Sequence, residues 1–223
     1  MVLVRKPDSS WRCCVDFRRL NQITKKDRFP LPLTNDVIRQ LSSAKFFTSV
    51  DMYKGYWQVP LHEEDIEKTA FNTPFGLYEW MYMPMGLWNS GATYQAMMNE
   101  VLQEFLGVCV CVYLGDVFIY SNSESDHVRD VQRVMTALMR AGLKTRPDKT
   151  CLFRASCKCL GFYIEPDGIR PIGEKINAIR DVQVPKTKKG IQRFLGMCRY
   201  YERFVSKLAH LALPLTTLLK KGV

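Results

Sequence analysis

The sequence predicts an α+β fold in which an antiparallel sheet is covered on one side by helices. Short apolar runs bounded by turn residues alternate with longer segments of helical periodicity. Some of the apolar runs are joined across tight turns, which indicates hairpins within the sheet. The 223 residues are 47% hydrophobic, enough for a sizeable core in one large domain or in a main body with a small satellite.

Six segments have the pattern of strands. They lie at 11–17, Phe46–Asp51, 69–72, 77–82, 108–120 (a hairpin) and 159–164. The segment 28–32 is expected to be an extended linker, because neither of its prolines allows a helix there.

Three helices are predicted before residue 150. Thr34 is expected to cap a short helix that ends at Leu41. A second helix at 92–106 and a third at about 126–141, with Gly142 at its end, each have an apolar stripe at helical spacing. The stripes are Tyr94, Met97, Met98, Val101, Leu102 and Phe105, and Val128, Val131, Val134, Met135, Leu138 and Met139.

From Lys186 onward the chain becomes basic and helical. One helical face is apolar, and basic side chains surround it. The apolar face holds Ile191, Phe194, Leu195, Cys198, Tyr201 and Val205, and the basic set is Lys188, Lys189, Arg193, Arg199, Arg203 and Lys207. We therefore expect a boundary near Gly173 with a small helical subdomain after it.

The charge balance indicates a polyanionic partner. The formal net charge is +10 and the isoelectric point is about 9.2, which favours nucleic acid over membrane. A solvated basic surface is the alternative reading of the same charge. Neither a signal peptide nor an apolar run of about 20 residues is visible, so we expect an intracellular protein without a membrane partner.

The eight cysteines have no Cys-x-x-Cys spacing, and only three histidines accompany them. The pairs Cys109/Cys111 and Cys157/Cys159 lie in strand-like segments, where a spacing of two puts both thiols on one face. Zinc ligation is therefore not expected, and reduced core cysteines of an intracellular protein are the preferred interpretation.

Two carboxylates stand at the ends of hydrophobic strands. Asp51 ends one strand, and Asp116 follows the turn of the 108–120 hairpin. Such an arrangement can hold Mg²⁺ against a triphosphate, but Gly115 stands where a second, adjacent carboxylate would complete the site.

Motifs along the chain carry a family resemblance. They are Val4-Arg5-Lys6, the run from Trp11 to Asn21, Asp27 to Pro32, Asp65 to Phe71, Met83 to Leu87, Tyr113-Leu114-Gly115-Asp116 and Tyr200 to Phe204. In this order and spacing they resemble the reverse transcriptase of long-terminal-repeat retroelements of the Ty3/gypsy type, from about Val4 to Gly222. The resemblance implies a right-hand polymerase fold with fingers, palm and a small helical thumb. Fingers and palm would occupy 1–172 (fingers about 1–45 and 62–83, without the family's leading finger segment), and the thumb or the start of the connection 173–223.

The resemblance assigns the metal site to Asp51, Asp116 and the backbone carbonyl of Met52. Two Mg²⁺ ions about 3.5–4 Å apart, or Mn²⁺ in their place, would activate the primer hydroxyl and neutralise the leaving pyrophosphate. Gly115 occupies the position of the family's first turn aspartate and cannot ligate. The next acidic residue, Glu124, would be about 26 Å away along an extended strand, so metal binding is expected to be weakened. Without the resemblance, Asp51 could simply end a strand and cap a turn.

The resemblance also assigns the nucleotide and primer contacts. Lys6 and Arg12 would grip the triphosphate, Tyr56 would exclude a 2′-hydroxyl, Met52, Met85 and Gly86 would line the dNTP pocket, and Lys149 would be a general acid. The primer–template would contact Tyr113, Gln95, the Leu160-Gly161-Phe162 primer grip, Arg193 and Arg199. Solvated surface residues are the alternative for Lys6, Arg12, Tyr56 and Lys149.

The implied function is RNA-directed DNA polymerase, a two-metal nucleotidyltransferase that adds dNTPs to a primer on an RNA or DNA template. Because of Gly115, this copy is expected to be inactive or severely weakened. The alternatives are a catalytically dead nucleic-acid-binding domain and a genomic relic. Implied partners are the protease, RNase H and integrase parts of a Pol polyprotein. The implied location is the cytoplasm or a virus-like particle, with the nucleus as an alternative.

Overall fold

The computed structural model describes residues 2–5 and 9–220, apart from the side chains of Val2 and Arg12. The chain divides into two compact units, residues 1–157 and 158–223. The thumb boundary near Gly173 stays a prediction.

The described residues form strands in four sheets. The strands are β1 (Val2–Arg5), β2 (Trp11–Cys14), β3 (Phe46–Asp51), β4 (Phe71–Thr73), β5 (Gly76–Tyr78), β6 (Val110–Tyr113), β7 (Asp116–Ser121), β8 (Cys151–Arg154), β9 (Cys157–Cys159), β10 (Phe162–Glu165) and β11 (Gly168–Pro171). Two sheets are the pairs β1-β2 and β4-β5, and the others have the orders β6-β7-β3-β8 and β11-β10-β9.

The helices alternate with these strands. They are α1 (Arg18–Ile23), α2 (Thr34–Leu41), α3 (Glu63–Ile66), α4 (Ser90–Val101), α5 (Glu124–Arg140), α6 (Gly173–Arg180), α7 (Lys188–Tyr200) and α8 (Leu208–Thr217). Short 3₁₀ helices occur at Gly55–Gln58, Glu67–Thr69 and Glu202–Phe204.

The four-stranded sheet is the centre of the first unit. Its neighbouring strands are all antiparallel, and α2, α4 and α5 pack on it. The five residues of β7 after Asp116 are buried, because this strand lies between β6 and β3. The α4 residues Tyr94 and Met98 join Leu102 and Phe105 in the core, as the apolar stripe predicts, although α4 ends at Val101 rather than at the predicted residue 106. The predicted α+β class is confirmed.

Several boundaries predicted between residues 11 and 82 are wrong. The strand predicted at 11–17 ends at Cys14, and Phe17 is the N-cap of α1. The Asp16 carboxylate accepts hydrogen bonds from the backbone N–H and the guanidinium of Arg18, which holds the chain in a turn. Thr34 is the first residue of α2 rather than its cap, which is Leu33. The pair predicted at 69–72 and 77–82 is the shorter hairpin β4-β5.

The face by which α5 packs on the sheet also differs from the prediction. Val134 and Leu138 are buried, but Val128 and Met139 are 41% and 71% exposed. His127 and Asp130 are buried in their place. Hydroxyl groups of the sheet hydrogen bond to these two polar side chains. The buried face of α5 therefore includes a polar pair, which apolar periodicity alone does not predict.

The strand predicted at 159–164 is interrupted by a turn. Leu160 and Gly161 have φ of +46° and +84° and join β9 to β10. A Cβ on Gly161 would lie 2.9 Å from the Tyr201 hydroxyl, so both the backbone and the neighbouring ring require glycine. The Leu160-Gly161 segment is therefore a turn between two strands, and its role as a primer grip stays a prediction.

All eight thiols are free. Cys109, Cys111, Cys157 and Cys159 are buried, which confirms the core interpretation for both Cys-x-Cys pairs. The interpretation is wrong for Cys13 and Cys151, which are exposed.

Candidate active site

The two carboxylates predicted from the sequence lie side by side. Asp51, the last residue of β3, is directly opposite Asp116, the first residue of β7, and Asp116 is opposite Tyr113 of β6. Directly opposed residues of antiparallel strands have Cβ atoms about 4.5–5.5 Å apart on one face of the sheet. Partial burial and the neighbouring charge of Asp51 raise the pKa of Asp116, although its side chain remains accessible to solvent. A cation between the two carboxylates would relieve this repulsion.

The turn beside this pair is a two-residue hairpin loop. Leu114 has φ of +52° and Gly115 has φ of +122°, a conformation that glycine adopts without strain. A Cβ on Gly115 would lie 3.5 Å from Cε1 of Tyr94, which is ordinary van der Waals contact. The space for a side chain therefore exists, and the backbone is what favours glycine. No group of three or more acidic, histidine or cysteine side chains suited to a metal is found among residues 2–5 and 9–220.

The side chain of Gln95, on α4, hydrogen bonds to the backbone of the β6-β7 hairpin. Its Oε1 accepts a hydrogen bond from the Leu114 N–H at 2.8 Å, and its Nε2 donates to the Val112 carbonyl at 3.2 Å. The side chain is 0% exposed, so the predicted contact between Gln95 and the primer–template is wrong. Gln95 is a positioning residue for the turn that carries Asp116.

Tyr56 lies on the 3₁₀ helix just after Asp51, where it packs edge-on against Tyr94. The ring centroids are 5.2 Å apart and the ring planes are inclined by 74°. Tyr56 is half-buried, and burial raises the pKa of its hydroxyl. Its role in excluding a 2′-hydroxyl stays a prediction.

A cleft of about 610 Å³ opens beside Asp51 in the first unit. It brings together three of the predicted residues, Asp51, Met52 and Met85. Its lining also includes the aromatic side chains Trp11, Tyr53, Trp57 and Trp80, and the basic side chains Lys54 and Arg146.

Sequence reasoning missed Lys54 and Arg146. Lys54 is three residues after Asp51, and that proximity could have suggested it. No local signal points to Arg146, which reaches the cleft because Met52 and Thr145 form an isolated antiparallel bridge. Only a contact between distant segments places it there.

Other residues predicted to contact the nucleotide are not found in the lining of this cleft. Gly86 is held by Asn21, whose side-chain amide donates to its carbonyl at 2.8 Å, but it does not line the cleft. Lys149 is exposed in the turn before β8 and does not line the cleft either. Lys6 and the side chain of Arg12 lie outside the described residues.

The predicted primer residues of the second unit fall into two groups. The Leu160 carbonyl accepts a 2.6 Å hydrogen bond from the Tyr200 hydroxyl, which ties the β9-β10 turn to the end of α7. Phe162 is 1% exposed and packs against Tyr200 and Tyr201, so its predicted contact with a primer is wrong. Its role is to support the turn.

Arg193 and Arg199 of α7 are exposed. They are accessible to a phosphate backbone, and their predicted contacts with one stay predictions. Within the described part of the chain, no helix is both long enough and apolar enough to cross a bilayer.

The paired carboxylates and the hairpin on an antiparallel sheet define a polymerase-type palm, and sequence comparison agrees. The family model of reverse transcriptase (RNA-dependent DNA polymerase) matches residues 4–164, so the chain belongs to the reverse transcriptase family. Members of this family typically use divalent metals.

The relatives are retrotransposon Pol polyproteins, as the Ty3/gypsy resemblance implies. The chain is 40% identical over 224 residues to the retrovirus-related Pol polyprotein from transposon 297 of Drosophila melanogaster, covering 99% of the chain and 21% of that protein. The corresponding protein from transposon gypsy is 39% identical, with 94% and 20% covered. The Tf2-3 polyprotein of Schizosaccharomyces pombe is 32% identical, with 100% and 17% covered. The chain thus spans about a fifth of the length of these relatives.

Solved structures of similar fold bind nucleic acid. A foamy viral protease-reverse transcriptase in complex with double-stranded DNA matches with a TM-score of 0.89 and 26% identity, over 97% of this chain and 38% of that one. The same type of protein in complex with an RNA/DNA hybrid matches with a TM-score of 0.80 and 26% identity, over 97% and 29%.

Proposed function

We propose that the chain is the RNA-directed DNA polymerase part of a retrotransposon Pol polyprotein, with a catalytic site lacking one carboxylate. The observation that carries this proposal is the register of the hairpin, which sets Asp116 directly opposite Asp51 and leaves Gly115 beside them. The pair and the Met52 carbonyl would hold Mg²⁺ more weakly than a three-carboxylate site, because one ligand is missing.

The divalent metal would supply charge neutralisation and an activated primer hydroxyl. The chain's own residues would position the reactants. Gln95 fixes the turn, and Tyr56, whose ring packs on Tyr94, would exclude a 2′-hydroxyl. Substrates by this proposal are a dNTP and a primer on an RNA or DNA template, and partners are the other Pol enzymes.

Primer extension on an RNA template tests the proposal, with this chain compared with Gly115→Asp in Mg²⁺ and in Mn²⁺. Loss of a group that only supports a ligand costs roughly 10–100-fold, so loss of a ligand should slow extension by more than about 100-fold relative to Gly115→Asp. Asp51→Asn in the Gly115→Asp background is the matched control and should abolish extension. Equal extension by this chain and Gly115→Asp would show that the two remaining carboxylates suffice.

The restored aspartate is also expected to strain the turn. At φ of +122° an L-residue costs about 1–2 kcal/mol unless the loop relaxes, so Gly115→Asp should lower the melting temperature by a few degrees. Thermal unfolding of both proteins measures this shift. A gain of activity despite lower stability would separate the chemistry of residue 115 from its effect on the fold.

A second candidate function is nucleic acid binding without catalysis, favoured by the +10 charge and the exposed arginines of α7. It predicts salt-dependent binding of an RNA/DNA hybrid while neither this chain nor Gly115→Asp extends a primer. If the chain neither binds the hybrid nor extends a primer, a genomic relic is the remaining interpretation.

A further inference from the structure

A second cleft lies in the first unit, at the opposite end of β7 from the candidate active site. Asp116 begins this strand and Ser121 ends it, so the two residues are about 17 Å apart along the extended chain. The second cleft has a volume of about 500 Å³ and is lined by the end of α2, the residues before β6, the end of β7 and one side of α5. We call it the α5 cleft. None of the residues predicted from the sequence to bind metal, nucleotide or primer lines it.

A buried carboxylate lines the α5 cleft. Asp130 is 8% exposed, and its Oδ2 accepts a hydrogen bond from the Ser121 hydroxyl at 2.8 Å. This is the only hydrogen bond to the Asp130 side chain within residues 2–5 and 9–220. An ionised carboxylate can accept about four hydrogen bonds, so Oδ1 is available to a ligand in the cleft.

The Asp130 carboxylate forms no ion pair with any side chain that the structure describes. The two arginines that line the same cleft pair with other carboxylates. Arg129 pairs with Asp126 at 2.5 Å, and Arg133 pairs with Glu104 at 3.3 Å. Burial of a carboxylate away from water costs free energy unless a cation or several hydrogen-bond donors compensate it. The α5 cleft therefore has a position suited to a cation from a ligand.

The groups around Asp130 favour a primary ammonium over other cations. A divalent metal needs several oxygen ligands, and the nearby Asp126 carboxylate already hydrogen bonds to Ser123 and Arg129. A guanidinium prefers to bond both oxygens of a carboxylate, but Oδ2 of Asp130 already accepts from Ser121. An ammonium is compact and can donate to Oδ1 alone.

The exposed residues of the α5 cleft indicate what carries the ammonium. Val108 is 75% exposed, so the aliphatic stem of a lysine can pack on it. The side chains of Arg129 and Arg133 are 63% and 51% exposed, and exposed ion pairs such as theirs are weak. Both guanidinium groups can therefore pair with acidic side chains of a ligand. A buried negative charge beside exposed positive charges is complementary to a lysine flanked by acidic residues.

We propose that the α5 cleft binds a lysine side chain from an acidic segment of a partner protein. The ammonium donates to Asp130, the methylene stem packs on Val108, and acidic residues beside the lysine pair with Arg129 and Arg133. Glu104 competes with the partner for Arg133, so its removal strengthens binding. The site uses none of the residues of the candidate active site and does not depend on polymerase chemistry.

Titration of the isotope-labelled 223-residue chain with the peptide acetyl-Glu-Ala-Lys-Ala-Glu-amide tests this site, with NMR signals of the Ser121 and Asn122 amides as the readout. The same peptide with norleucine in place of lysine should bind at least about tenfold more weakly, as expected for loss of a charge-assisted hydrogen bond. Because the norleucine peptide is more negative, general attraction to this basic protein would favour it instead. A peptide with arginine in place of lysine should also bind more weakly.

Variants of the protein test the same contacts from the other side. Asp130→Asn should weaken binding of the lysine peptide about tenfold. Glu104→Gln should strengthen it about two- to fivefold, because it frees Arg133 from an exposed ion pair. The matched control is Asp167→Asn, which changes the net charge equally in the exposed turn between β10 and β11, outside the cleft. It should change the affinity less than about twofold.

Three results would overturn the proposal: equal binding of the lysine and norleucine peptides, equal loss of affinity in Asp130→Asn and Asp167→Asn, or binding of n-butylammonium as tight as that of the lysine peptide. The last result would assign the α5 cleft to a small amine rather than to a protein. Thermal unfolding identifies any variant that fails to fold. If Asp130→Asn does, the peptide series on the unaltered chain and Glu104→Gln decide.

Discussion

At the scale of single residues, Tyr94 has a polar group that its surroundings do not satisfy. The side chain is 0% exposed, and its hydroxyl has no hydrogen-bond partner among the residues that the structure describes. Burial, with the nearby Tyr56 and Asp51, raises the pKa of this hydroxyl far above its usual range. The ring itself is needed, because it supports Tyr56 and lies beneath Gly115.

We therefore expect Tyr94→Phe to stabilise the protein. Removing a buried, unpaired hydroxyl while keeping the ring should raise the free energy of unfolding by about 1 kcal/mol, and the melting temperature by about 2–4 °C. Urea and thermal unfolding measure this change. Tyr94→Leu is the control, and it should destabilise because it removes the contact with Tyr56. A less stable Tyr94→Phe protein would show that the hydroxyl has a partner in solution.

At the scale of elements, a polar network joins α5 to the central sheet. His127 hydrogen bonds through Nε2 to Thr48 of β3 (2.8 Å) and through Nδ1 to Ser121 of β7 (3.0 Å), and the Ser121 hydroxyl donates to Asp130 at 2.8 Å. Burial lowers the pKa of His127 below its ordinary value of 6.5, although Asp130 opposes this shift. The network thus favours a neutral imidazole in the folded protein.

This network predicts that the protein loses stability in mild acid. Below the ordinary histidine pKa the unfolded chain takes up a proton that folded His127 resists, so the free energy of unfolding should fall as the pH drops below about 6.5. The slope from this residue is at most about 1.4 kcal/mol per pH unit, and it ends once the pH is below the lowered pKa of the folded protein. Urea unfolding at several pH values measures it. His127→Gln should flatten the curve in this window, and an unchanged curve would contradict the assignment.

At the scale of the whole molecule, the net charge of +10 is the property that bears most on partners. Exposed arginines on α7 carry part of it in the second unit. Phosphate contacts release counterions, so the affinity for an RNA/DNA hybrid should fall linearly with salt on logarithmic axes.

Arg193→Gln and Arg199→Gln should each reduce the magnitude of the salt slope by about 1, if each contacts one phosphate. Fluorescence anisotropy at several salt concentrations measures the slope. Arg39→Gln, on the surface of α2, serves as the control and should leave the slope unchanged. Equal changes in all three variants would mean that the overall charge, rather than α7, attracts the nucleic acid.

Much of the fold could be predicted because its signals are local. The β6-β7 hairpin is readable from two apolar runs around a glycine turn, and α4 from its apolar stripe. Predicted strand and helix boundaries were wrong where a side chain hydrogen bonds to the backbone, as Asp16 does before α1. The predicted buried face of α5 was wrong because His127 is buried by hydrogen bonding to hydroxyl groups of β3 and β7, which the helix sequence does not show.

The family, the antiparallel sheet of the palm and the missing carboxylate at Gly115 can all be inferred from residue order and local pattern. The side chains that surround Asp51 cannot, because contacts between distant segments bring them together. Arg146 enters the cleft through a bridge between distant segments, whereas Gln95 and Phe162 are removed from any ligand by burial. The physical reason is that hydrogen bonding and burial depend on neighbours in space, and a linear pattern does not specify those neighbours.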